Sequence, residues 1–189
     1  MGGTVHRKIP DGAYDTFITR ITGNDNPDFF LLNYDEGDYC VNNFWFIPKH
    51  FFTPEIVEKR PPLSKTARRA GWVGCNILIG EIPQQGRISL IVDRTPIAKE
   101  IVLKIVGRAS LLQTKDLDSR GWMFDVLNCI NKFPDDRFSL SEMYAFEKDL
   151  QFRHPENNNI QAKIRQQLQK LRDKGFIQFL GRGQYRKLF

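Results

Sequence analysis

The sequence predicts an α+β fold, with a mixed α/β core ahead of a C-terminal winged helix-turn-helix. Three observations carry this. Short β-rich runs mix with helix-patterned segments over the first 110 residues. The last seventy residues instead read helix, helix, turn, helix, hairpin. Charge is also divided: residues 160–189 hold eight basic side chains against Asp173 alone, a net +7, whereas the other 159 residues sum to −1.

In chain order, DGAYDTFITRI places Tyr14, Phe17, Ile18 and Ile21 at helical spacing. DFFLLNY and YCVNNFWFIP are β-rich runs joined by DEGD, a hairpin signal. CNILIGEIP and GRISLIVD are two more strands. TPIAKEIVLKIV offers Thr95 as N-cap and Pro96 at the first helical position, with Ile97, Ile101 and Ile105 on one face. SLLQTKDLDSRG, residues 110–121, is polar and reads as a linker, so the chain divides into residues 1–113 and 114–189.

Beyond the linker, Trp122, Val126 and Ile130 recur every fourth residue on a helix. SLSEMYAFEKDL opens with Ser139 and has Glu142 three residues on, the capping-box signature of a helix start. QFRHPENNN reads as the turn before the last helix. There Ile160, Ile164, Leu168 and Leu171 form one narrow apolar stripe, and Gly175 ends it. FIQFL, GRG and QYRKLF follow as strand, tight turn and returning strand.

This order is that of a winged helix-turn-helix, in which the last helix enters the major groove of double-stranded DNA and the hairpin lies on the flanking backbone. Opposite the apolar stripe lie Ala162, Gln166 and Gln169, flanked by Lys163, Arg165 and Lys170. Glutamine pairs bidentately with adenine, and Arg or Lys pairs with guanine or phosphate. Arg182, Tyr185, Arg186 and Lys187 are the wing's candidates, although Tyr185 fits packing across the hairpin equally well. Winged helices also serve as transcription regulators or protein-interaction modules. The concentrated positive charge favours nucleic acid over a merely solvated face.

Other residues read as structural. Trp122, Phe124, Tyr144 and Phe146 suit a core. His154 before Pro155 reads as a turn residue with no orienting carboxylate. Asn42 and Asn43 read as turn formers, and Asp116 and Asp118 as solvated linker carboxylates. No apolar run approaches the ~20 residues of a membrane span, and MGGTVHRKIPDG has no secretory h-region. Cys40, Cys75 and Cys129 stand apart with no CxxC spacing, which suits a reducing cytoplasm. The three His residues show no metal-ligand spacing.

The stretches NPDFFLLNY, VNNFWFIPKHFFTP, RPPLSKTARRAGWVGCNI, SRGWMFDVLNCI and KIRQQLQKLRDKGFIQFLGRGQYRKL, in that order, resemble the DpnI-type methyl-directed restriction endonucleases, or Dam-replacing proteins. The resemblance runs from about Asp11 to the C-terminus. It implies a PD-(D/E)xK nuclease core followed by a winged helix, and Mg²⁺-dependent cutting of GATC when its adenine carries an N6-methyl group. It also makes Trp72 the methyl-contacting candidate, with Arg68 and Arg69 on phosphate or guanine; the structural alternative is an indole anchoring the start of a strand. One departure matters. No Asp or Glu stands two residues before a Lys anywhere in this chain. The family's acidic-x-Lys triplet and four-Cys zinc element precede the DGAY segment. The expectation is therefore a partial nuclease core, with no catalytic or metal-binding residue in this chain and no Mg²⁺ bound by it alone.

Overall fold

The computed structural model describes residues 8–23, 26–114 and 116–189, and the chain divides into two compact units between Leu117 and Asp118. Residues 1–7, which open the supposed leaderless start, and Lys115 of the supposed linker lie outside the described residues.

The first unit holds two antiparallel sheets. One has the order β1 (Ile9–Ala13), β5 (Gly74–Ile77), β4 (Val57–Lys59). The other runs β2 (Phe29–Asp35), β3 (Cys40–Ile47), β6 (Ile88–Val92), β7 (Thr95–Pro96). Helix α1 (Tyr14–Thr22) follows β1, and α2 (Lys99–Ser110) follows β7. Strand alternation sorts the second sheet into two faces: Phe29 faces Ile47 and Leu31 faces Trp45 on one, while Phe30 faces Phe46 and Leu32 faces Phe44 on the other. Ile47, Phe51, Phe52, Ile77, Ile79, Ile82 and Ile88 are buried and form the core.

Several expectations need correcting here. Helix α2 begins at Lys99 with Ala98 as its N-cap, and Thr95–Pro96 instead pairs with β6. The cause is a two-residue turn: Asp93 and Arg94 both have positive φ, which suits a tight hairpin. Asn42 and Asn43 are strand residues that hold this turn, their side-chain oxygens accepting from Arg94 Nε at 2.9 Å and Asp93 N at 3.1 Å. The Ile101 and Ile105 face of α2 is exposed. CNILIGEIP is a strand only to Ile77, after which Ile79–Glu81 form a 3-10 turn. Strand β1, with only two apolar residues in five, gave too little alternation to be read from sequence. The two units divide within the polar stretch 110–121, at Leu117/Asp118, although Leu112 is buried and Ser119 and Gly121 lie buried in the helix that follows.

The second unit comprises α3 (Leu117–Asn131), β8 (Arg137–Ser139), α4 (Leu140–Tyr144), α5 (Glu147–Arg153), α6 (Ile160–Asp173), β9 (Ile177–Gly181) and β10 (Gln184–Lys187). The expected capping box forms: Ser139 Oγ accepts from Glu142 N at 3.1 Å, and the Glu142 carboxylate accepts from Ser139 N at 2.7 Å. Ser139 Oγ also donates to the Glu142 carboxylate at 2.7 Å, and this bond, followed by the one from Ser139 N, holds the Glu142 carboxyl below its ordinary range. The segment after Ser139 is two helices rather than one, and α5 runs on to Arg153 before the turn. Strand β8 was not foreseen. It joins the wing in a three-stranded sheet of order β8-β10-β9.

Candidate nucleic-acid interface

Helix α6 is seated by its apolar stripe. Ile160, Ile164, Leu168 and Leu171 are all buried. Its end is closed by a Schellman motif: Gly175 N donates to Arg172 O at 2.9 Å, Phe176 N donates to Leu171 O at 2.9 Å, and Gly175 has φ +74°. With one face fixed, the opposite face must point to solvent. Ala162, Arg165, Gln166 and Gln169 are exposed there. Arg165 is steadied by α4, its Nη1 donating to Tyr144 Oη at 2.6 Å. Tyr144 is thus half-buried beside the exposed face, not a core residue.

The remaining basic candidates on this unit divide by what they touch. Arg182 sits exposed at the wing tip with φ +48°, next to Gly183 at φ +73°, the two central residues of a tight hairpin turn. Lys163 lies 3.5 Å from Asp118 and above the Trp122 ring. Lys170 Nζ donates to Ser119 Oγ, Lys187 Nζ donates to Phe133 O, and Arg186 lies 3.7 Å from Asp136. Tyr185 stacks on Phe138 with centroids 5.4 Å apart, and burial pushes its hydroxyl pKa up. Gln166, Gln169 and Arg182 therefore form the freely presented set, with Arg165 exposed beside them but held by Tyr144.

His154 does have an orienting carboxylate. Its Nε2 donates to Asp125 Oδ2 at 2.7 Å, and its ring stacks on Trp122. Asp125 lies 29 residues earlier on α3, beyond the reach of local spacing arguments.

In the first unit, β4 and β5 are joined by a long basic hairpin. Arg60 N donates to Gly74 O at 3.0 Å and Leu63 N to Trp72 O at 2.9 Å, which carries the pairing outward. Lys59, Arg60, Lys65, Arg68 and Arg69 are all exposed along it. Beyond Arg68 and Arg69, the signal for Lys59, Arg60 and Lys65 is the absence of any acid from Lys59 to Trp72. Trp72 is half-buried against the strand start. A side chain at Gly74 would lie 2.8 Å from its ring, so Gly74 leaves the space the indole occupies.

These two surfaces can neutralise phosphate and present amides to base edges. Their chemistry does not fit a Mg²⁺ site. Among the described residues no three Asp, Glu, His or Cys side chains come together as a hard cation would require. Nor is any described helix long and apolar enough to cross a membrane.

Comparison with known families gives two adjoining matches. Residues 1–115 match the DpnI model, described as the Dam-replacing family, and residues 118–187 match the Dam-replacing HTH domain.

Proposed function

The chain belongs to the Dam-replacing family, and from that premise we propose that it binds double-stranded DNA at GATC whose adenine carries an N6-methyl group. It is the DNA-reading part of a methyl-directed type II restriction endonuclease and works in the cytoplasm. The observation that supports this best is the exposed pair Gln166 and Gln169 on α6, opposite a fully buried stripe. Two amides on one face of a seated helix are matched to the N6 and N7 edge of adenine. Arg165 lies beside them, Arg182 tips the wing, and Trp72 with Arg68 and Arg69 supplies a second contact region. This chain alone binds without cutting, because it carries no acidic-x-Lys triplet to help hold Mg²⁺ and generate the nucleophile.

Mobility-shift titrations with methylated GATC, unmethylated GATC and scrambled duplexes test the reading, followed by incubation of methylated plasmid with Mg²⁺. Binding should be tightest to the methylated site and the plasmid should stay intact. Equal affinity for all three duplexes would remove sequence readout, and specific cleavage by this chain would overturn the assignment of no catalytic residue.

A further inference from the structure

Two independent features meet at β2. The strand is one edge of its sheet, and among the described residues nothing pairs with its outer side. Its seven residues, FFLLNYD, hold a single charge at the far end. On one face Phe30, Leu32 and Tyr34 are 57%, 52% and 44% exposed. They extend an aromatic row, with Phe30 packed on Phe44 and Phe46 of β3. Proteins usually protect such edges with charge, proline or brevity, because an open apolar edge is a template for another strand.

The other face of β2 borders a cavity of about 150 Å³, lined by Leu31, Trp45, Ile47, Ile79, Gln84 and Arg87. Arg87 Nε is buried there with no hydrogen-bond acceptor. Burial lowers the guanidinium's pKa, and no carboxylate acts against it. Arg87 as a whole is half-buried, but its shielded Nε–H has no acceptor, and a charge-assisted bond from the guanidinium to a carboxylate would offset the cost of that partial burial.

We propose that the open edge of β2 accepts an extended polypeptide segment with carboxylates facing the Arg87 cavity and apolar side chains facing Phe30 and Leu32. One occupant then satisfies both features. A strand added beside β2 lies about 4.8 Å away, and its side chains alternate between the two faces with period two. Those pointing inward arrive beside Leu31, at the cavity's rim. A second copy of β2 fits less well: its inward residues are Phe29, Leu31, Asn33 and Asp35, and that lone carboxylate is already paired with Arg94. A small organic anion would fill the cavity and leave the edge unpaired.

The test uses the 189-residue chain and three capped seven-residue peptides alternating Val with Glu, Val with Gln, or Val with Lys. Amide NMR of β2 and binding isotherms are the readouts. The Val/Glu peptide should bind at least tenfold more tightly than the Val/Gln peptide, slow exchange at β2 amides, and outcompete any binding of Val/Lys. Arg87→Gln should reduce Val/Glu affinity to the Val/Gln level. Phe30→Lys, at an exposed position that leaves the core untouched, should abolish binding of both. Equal affinity for Glu and Gln peptides would overturn the proposal. So would benzoate saturating the cavity while no peptide alters β2, or a concentration-dependent dimer that Phe30→Lys dissolves.

Discussion

His154 donates its Nε2 proton to Asp125 at 2.7 Å while its ring lies on Trp122 with centroids 3.7 Å apart. The pair ties the middle of α3 to the turn that leads into α6, and both side chains are about nine-tenths buried. Removing one partner leaves the other's buried polar group unsatisfied, so His154→Ala should cost about 1–3 kcal/mol in urea unfolding. Arg153, the other donor to Asp125, is 39% exposed. Arg153→Ala should therefore cost under about 1 kcal/mol. Equal, small losses for both variants would mean the His154 bond does not hold the turn.

Readout by α6 is separable from attachment. Gln166→Ala or Gln169→Ala should cost on the order of 1–3 kcal/mol against a GATC duplex and much less against an unrelated one. Neither side chain supports the core, so thermal stability should stay unchanged. Equal losses on both duplexes would make the two amides positioning groups.

The wing gives a different signature. Arg182→Ala should weaken binding to every sequence alike and reduce the salt slope by ~1, as loss of one phosphate contact does. Lys187 is anchored to the Phe133 carbonyl. Lys187→Ala should act first on unfolding stability, with a smaller change in salt slope. The reverse pattern would place Lys187, not Arg182, against the backbone.

What the sequence revealed and what it hid have physical causes. The stripe of Ile160, Ile164, Leu168 and Leu171, the Ser139–Glu142 capping box and the Gly175 stop are all local patterns, and each recurs in the structure. Features set by partners distant in sequence were invisible. Strand β8 exists because Phe138 and Arg137 pair with Tyr185 and Arg186, nearly fifty residues later. Thr95–Pro96 fails for a different, local reason: it carries helix-start residues, yet the two-residue turn at Asp93 and Arg94 pairs it with Ile91 and Val92. The candidate list suffered similarly: helical spacing could place Lys163 and Lys170 near the reading face, but not foresee Asp118 and Ser119 as their partners.

The cysteines make a prediction about pH. Burial pushes the Cys129 thiol from its ordinary 9.0 up to about 12, and raises Cys75 as well. A raised folded pKa means that ionisation favours the unfolded chain. Stability from the neutral thiol is whole below pH 9 and is lost as pH climbs toward about 12. The unfolding midpoint should therefore fall more steeply over that range in the wild type than in Cys129→Ala. At pH 8, Ellman's reagent should modify exposed Cys40 quickly and buried Cys75 and Cys129 only on unfolding. Three equally fast thiols would contradict this burial.

Trp72 is the position at which methylation readout and plain packing make different forecasts. Its indole occupies the space left open at Gly74, beside a hairpin whose exposed cations Lys65, Arg68 and Arg69 suit a phosphate backbone. An N6-methyl group is a small apolar bump, worth about 0.8 kcal/mol when buried against a ring. That corresponds to roughly fourfold in affinity. Trp72→Ala, once circular dichroism shows it folded, should lose about that factor on methylated GATC and nearly nothing on the unmethylated site. Arg68→Ala and Arg69→Ala should weaken both duplexes together, since a phosphate carries no mark of methylation. If folded Trp72→Ala keeps the full preference for methylated DNA, the indole only packs against β5 and the methyl group is read elsewhere.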